Sequence, residues 1–215
     1  MNEDISVLFS AAELRILAAA SGLEHAILFG SNDGVTRSSQ IQAVNALIND
    51  GLLVCDESGL HPNGKMVEFI SVLSDDCNNA IVVHPAKDIS PPLCIYYSRH
   101  SGLYLVIVPV ESKKEYYRVF VADDTGLVNA LKQMGLIPST DEEIDMLEPE
   151  QDSIRIDDRP LSRFDRWSIS SGVQTSISVL RRAAIWLVIF EHTNGPELCN
   201  YSDEFILAWM RGEKM

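Results

Sequence analysis

The sequence predicts an α+β protein: an antiparallel sheet built from strand meanders, flanked by helices, with a winged-helix-like helical segment at the N-terminus. Three observations carry this prediction. Apolar stripes at helical spacing, with capping residues, occupy residues 10–75. From about residue 79 the texture changes to short runs rich in β-branched and aromatic residues, separated by polar or Gly/Pro turns. The order meander-then-helix then occurs twice, although no internal sequence repeat is visible.

Each element has a local reason. Ser10-Ala-Ala-Glu13 is a capping box, in which the Ser10 hydroxyl accepts a first-turn N–H and Glu13 reaches back. Leu14, Leu17 and Ala18 make the stripe of that helix, and Gly22 stops it. A short apolar piece, "LEHAILF", and a turn, "GSNDG", follow. The next helix is expected from about Arg37 to Asp50, with Ile41, Val44, Leu47 and Ile48 on one face and Gly51 at its C-terminal cap. "LLVCDESGLHP" reads as two short strands around Ser58-Gly59, the wing, and Asn63 is placed to cap a helix carrying Met66, Val67, Ile70 and Leu73.

Beyond Asp76, "AIVVH", "LCIYYS", "GLYLVIVPV" and "EYYRVFVA" are expected strands, and the last three read as a meander joined by "RHSG" and "ESKKE". Asp123 or Asp124 caps a helix with Leu127, Val128, Leu131 and Met134, closed by Gly135. Residues 140–158 hold nine acids and one arginine and read as a solvated loop, with "SIRI" a possible brief strand. "RWSIS", "VQTSISVL" and "AAIWLVIFEH" resume the strands, "NGPE" is a turn, and an amphipathic helix starts near Ser202. Residues 1–76 thus form a helical segment and 77–215 a sheet with helices, as two domains or as one integrated domain.

Composition narrows the function. The 215 residues carry a net charge of −14, which repels phosphate backbones and anionic lipid heads. No secretory signal is evident, and the longest apolar run, "AAIWLVIF", is too short to span a bilayer as a helix. The expectation is a cytoplasmic protein that engages no membrane. Cys55, Cys77, Cys94 and Cys199 form no CxxC pair. His84 and His100 flank strand-like segments and have Cys94 between them, but incidental packing explains such a trio better than a metal does. No GxSxG, HExxH, Walker or Rossmann motif is present. No enzyme activity, cofactor or metal is therefore expected, and an enzyme of unknown class ranks third among the function readings.

A winged helix raises the question of DNA. The polar face of the 37–50 helix offers Arg37, Ser38, Gln42, Asn45 and Asn49, and Gln and Asn read adenine edges. Yet residues 1–75 hold three basic groups against ten acids, whereas useful DNA affinity neutralises roughly 6–10 phosphates. Nucleic acid is the lesser reading; a transcriptional regulator with a sensing second half is the alternative it leaves. Tyr96, Tyr97, Tyr104, Tyr116 and Tyr117 project from both faces of the meander, some into the core and others free to make a binding surface.

"SAAELRIL", "AVNALINDGLLVCDESGLHPNGKMVEFISVLS" and "GLYLVIVPVESKKEYYRVFVADDTGLVNALKQM" together resemble the EspG-type chaperones of ESX (type VII) secretion systems over residues 8–136. The resemblance implies a bacterial, cytosolic, non-enzymatic protein with an antiparallel sheet flanked by helices. It implies a protein partner, such as a helical secretion substrate; self-association is the other protein-level option. The winged-helix-like part then becomes scaffold for protein recognition. In the last helix Phe205 and Trp209 share a face. They close a core there or, as candidate partner-binding residues, stay open to a partner, since Trp is a frequent interface anchor.

Overall fold

In the computed structural model the described residues are 6–20, 36–75, 79–86, 91–113, 115–139, 159–168, 171–182, 185–192 and 195–213. The strands are β1 (Val7–Ser10), β2 (Leu53–Asp56), β3 (Gly59–Pro62), β4 (Asn79–Pro85), β5 (Leu93–Tyr97), β6 (Tyr104–Pro109), β7 (Tyr116–Ala122), β8 (Arg159–Ser168), β9 (Gly172–Arg182), β10 (Ile185–His192) and β11 (Gly195–Asn200). The helices are α1 (Ala11–Ala20), α2 (Arg37–Asn49), α3 (Lys65–Asp75), α4 (Asp124–Gln133) and α5 (Asp203–Arg211). The α+β class holds, with all strands but β2 and β3 in one sheet.

That sheet is antiparallel and nine-stranded, in the order β1-β7-β6-β5-β4-β8-β9-β10-β11. Its middle is the β4–β8 pair, with Val83 opposite Phe164. On one side the meander β4-β5-β6-β7 runs outward and ends in α4; on the other β8-β9-β10-β11 runs outward and ends in α5. The two halves are topological copies about the β4–β8 seam. β1 extends only the first half, pairing with β7 so that Phe9 sits opposite Tyr117. It escapes sequence reading because four residues show no usable period.

Alternation of side chains divides the sheet into two faces. Ile81, Val83, Ile95, Tyr104, Val106, Phe164, Ile177, Val179 and Val188 point to the face covered by α4 and α5, and Leu127, Leu131, Ile206, Trp209 and Met210 complete that core. The two helices run antiparallel. Lys132 in the last turn of α4 meets Asp203 in the first turn of α5 (2.7 Å), and Arg211 in the last turn of α5 meets Asp124 in the first turn of α4 (2.8 Å). Each acid and each base also complements its own helix dipole, so antiparallel packing brings opposite charges together at both ends.

The opposite face of the first half, through Tyr96, Leu105, Ile107 and Val119, packs against Phe9, Leu14, Leu17, Leu47, Leu53, Met66, Phe69 and Val72. The helical segment thus shares a core with the sheet. Most expected caps are present. The Ser10–Glu13 box closes in both directions, and Asp123 and Ser202 accept N–H bonds from Gly126 (2.8 Å) and Phe205 (3.0 Å). Asn63 differs: its side chain donates to the Gly51 carbonyl (3.3 Å), tying the start of α3 to the end of α2. "LEHAILF", "GSNDG", "SIRI" and the acidic segment 140–158 lie outside the described residues. The "NGPE" turn is shorter than expected, since β11 already begins at Gly195. No described helix is long and apolar enough to cross a membrane.

Candidate binding surfaces

The α2–hairpin unit is built locally. Thr36 caps α2 by accepting the Ser39 N–H (3.1 Å). At the other end Gly51 takes a left-handed conformation (φ 68°), and the Leu52 N–H bonds to the Leu47 carbonyl (2.8 Å), turning the chain into β2. The hairpin closes in register, Leu53 opposite Pro62 and Asp56 opposite Gly59.

The buried side of α2 corrects the sequence reading. Ala43 and Leu47 are the buried residues, whereas Ile41 is 55% and Ile48 37% exposed. At roughly 100° per residue, Ala43 and Leu47 fall on one side of the helix, with Ile41, Val44 and Ile48 on the other. The apolar residues therefore make two stripes. The smaller one pins α2 to the protein; the larger one faces outward. The composition carried this signal, because six apolar residues within 41–48 are too many for one face. Val54 on β2 and Val67 on α3 are also exposed.

Arg37, Ser38, Gln42, Asn45 and Asn49 are all exposed, as DNA reading requires. The wing is wrong for it. Its tip carries Asp56 and Glu57, and Asp56 accepts the Ser58 N–H (2.8 Å) and hydroxyl (2.5 Å). These bonds, with nearby His61, hold the Asp56 carboxyl below its usual range, so the tip stays negative where a wing would meet phosphate.

Other candidates are placed as follows. Trp209 is 2% exposed and belongs to the α4–α5 core, so the core role of α5 applies and an open interface at Trp209 does not. Phe205 is half-buried and packs against the same core. Tyr96 and Tyr104 are buried; Tyr97, Tyr116 and Tyr117 are half-buried. Tyr97 stacks on Tyr104 at 4.9 Å and Lys113 covers the Tyr116 ring at 3.4 Å, so these rings form no open aromatic surface. His84 and Cys94 share a sheet face, but His100 lies in the turn after β5, at the other end of β4. Burial pushes the Cys94 thiol up to about 11, the reverse of a reactive cysteine. Among the described residues no group of three or more His, Cys, Asp or Glu is placed to hold a metal.

A polar row crosses the second half on the face opposite α4 and α5, and sequence reading missed it. Asp165, 7% exposed, accepts from Arg163 Nε (2.7 Å) and the Ser176 hydroxyl (2.6 Å), with His84 Nε2 at 3.2 Å. Arg163 reaches on to Glu191 (3.4 Å). These residues come from four strands, so no local motif announces them. The serine hydroxyl is buried and held on both sides, donating to the Asp165 carboxylate and accepting from Arg163 Nη2 (3.0 Å), so its oxygen is not presented to a substrate. It reads as a cross-strand hydrogen-bond ladder.

No family model matches this sequence, and no curated protein does. Among solved structures, the chain is similar to one in the structure of the Mycobacterium tuberculosis type VII secretion system chaperone EspG5 in complex with the PE25-PPE41 dimer, at 9% identity and a TM-score of 0.48, covering 96% of this chain and 94% of that one.

Proposed function

We propose that the protein is a non-catalytic protein-binding adaptor of the chaperone kind that the sequence resemblance implies, and that the outward stripe of α2 is its contact surface. The observation that carries this is the second apolar face of α2, where Ile41 and Ile48 stay exposed although the same helix is anchored by Ala43 and Leu47. A lone exposed isoleucine is unremarkable; two, one heptad apart on one helix face with Val44 between them, form the repeat that a partner helix reads. Residues 37–75 hold five acids and two bases, a net of 2 − 5 = −3. The fitting partner is therefore an amphipathic helix with an apolar stripe and basic flanks.

The test places a photo-crosslinking residue at exposed Gln42 and, as a control on the other half of the sheet, at exposed Val173. Crosslinking to a protein at position 42 but not at 173, abolished by Ile41→Asp with Ile48→Asp at an unchanged melting temperature, is the expected result. Equal crosslinking at both positions, indifference to the double substitution, or salt-sensitive DNA retention that needs Arg37 would overturn the proposal.

A further inference from the structure

Three arginines from three elements converge at the end of the β4–β8 seam. Arg99 lies in the turn after β5, Arg166 near the end of β8 and Arg211 in the last turn of α5. They line a cavity of about 290 Å³ with Gln174 and an apolar floor that includes Ile95, Tyr97 and Met210. Among the described residues no carboxylate lines it, in a chain whose net charge is −14.

Two of the three have structural duties. Arg211 pairs with Asp124 (2.8 Å) and Glu213 (2.8 Å). Arg166 donates to the Trp209 carbonyl and lies over the Trp209 ring at 4.9 Å, closing the C-terminus of α5. Arg99 has neither a hydrogen bond nor an ion pair among the described residues. Its Nη2 nevertheless converges with the Arg166 guanidinium on one point: a Cβ placed on Gly212 would lie 3.6 Å from Arg99 Nη2 and 3.3 Å from Arg166 Nη1. Gly212 is in the left-handed conformation (φ 75°), and its missing side chain keeps that space open. Guanidinium forks match the oxygens of carboxylate and phosphate.

We propose that this cavity binds a small organic anion: an oxyanion head, carboxylate or phosphate, held between Arg99 and Arg166, with an apolar stem on Ile95, Tyr97 and Met210. The site is separate from the α2 surface and stands or falls without it.

The test uses the full chain, ¹⁵N-labelled, in chloride buffer, titrated with inorganic phosphate, phenyl phosphate and phenylacetate. The Trp209 indole N–H, stacked beneath Arg166, is the reporter, assigned with Trp167→Phe and Trp186→Phe. A saturable shift with a phenyl anion is expected. Arg99→Ala should weaken binding at least about ten-fold, the loss of a charge-assisted bond, with the melting temperature kept. Arg166→Lys keeps the charge, removes the fork and should weaken it too. Arg181→Ala, whose guanidinium lies over Trp186 at 5.5 Å, should leave it unchanged. No saturable shift with any probe, full affinity in Arg99→Ala, or an equal loss in Arg181→Ala would overturn the site. Phenyl phosphate binding no tighter than inorganic phosphate would overturn the apolar stem. The tighter of the two phenyl anions identifies the head group.

Discussion

The two halves of the sheet share a plan and differ on one face. Each is a four-strand meander closed by a helix, and each buries one face under the α4–α5 pair. On the other face the first half presents Tyr96, Leu105, Ile107 and Val119, and α1 and α3 cover them. The second half presents Asp165, Arg163, Ser176 and Glu191 in a row across β8, β9 and β10, and Leu180, Leu187 and Ile189 further along β9 and β10. The chain path is the same in both, so side-chain chemistry decides what each half can bind. An apolar face takes up the helical segment; a face with a buried carboxylate ladder satisfies itself across strands.

The most severe way to break this comparison is to move charge between the halves. Ile107→Asp places a carboxylate beneath the helical segment with no partner to receive it. The expected cost is about 4–5 kcal/mol, the range of an unpaired buried charge. Val173→Asp, on an exposed stretch of β9, should stay within about 0.5 kcal/mol. Denaturant melts of both variants check this. Similar losses would mean that the two faces do not differ as described.

A smaller effect appears at high pH, where the halves should behave alike. Tyr104 donates its hydroxyl to Asp124 (2.9 Å), and Tyr201 donates to Asp203 (2.5 Å). Burial first, and then these carboxylates, raise both phenols well above their ordinary value of 10.0. A raised folded-state pKa gives stability that is full below the unfolded value and is lost as pH rises beyond it. Each tyrosine should therefore withdraw up to about 1.4 kcal/mol per pH unit above pH 10. Cys94 adds to the loss from pH 9 upward, since burial pushes its thiol from 9.0 up to about 11. Melts between pH 8 and 11 should fall steeply past 10, and Tyr104→Phe and Tyr201→Phe should each flatten the fall. Only one of the two doing so would sharpen the comparison into an inequality at the helix ends.

What was legible in the sequence follows from which signals are local. The Ser10–Glu13 box, the Ser58-Gly59 wing, the caps at Asp123 and Ser202 and the switch from helix to strand texture each depend on a few neighbouring residues, and each is present. β1 depends on a partner more than 100 residues away, Val7 against Val119, and is too short to show a period. The same holds for the Asp165 row and the three arginines, since distant strands and a terminal helix bring them together. The outward stripe of α2 lies between these cases. Its residues are local, but the spacing that groups Ile41, Val44 and Ile48 also admits Leu47 at the edge, so one wide stripe and two opposed ones read alike. Trp209 shows the remaining gap: a tryptophan on an amphipathic terminal helix suits a core and an interface equally until its packing partners are known.

The smallest expected effect tests the α4–α5 clasp. Lys132–Asp203 and Asp124–Arg211 are the same device at opposite ends of one helix pair, a first-turn acid against a last-turn base. All four side chains keep some solvent contact, so water screens both pairs and each coupling should be about 0.5–1 kcal/mol in a double-mutant cycle. The pairs are not wholly equal. Arg211 also meets Glu213, which still compensates it when Asp124 is removed, whereas Lys132 is paired with Asp203. The Lys132–Asp203 coupling should therefore be the larger of the two. Alanine cycles at both ends check the order, provided that Asp124 and Asp203 are studied in Tyr104→Phe and Tyr201→Phe backgrounds, because each carboxylate also accepts a phenol. Raising the salt to about 1 M, where the screening length falls to about 3 Å, should shrink both couplings together. A coupling above 2 kcal/mol at one end with none at the other would show that the two helices are held by different physics, and the copy-like plan of the halves would then end at the sheet.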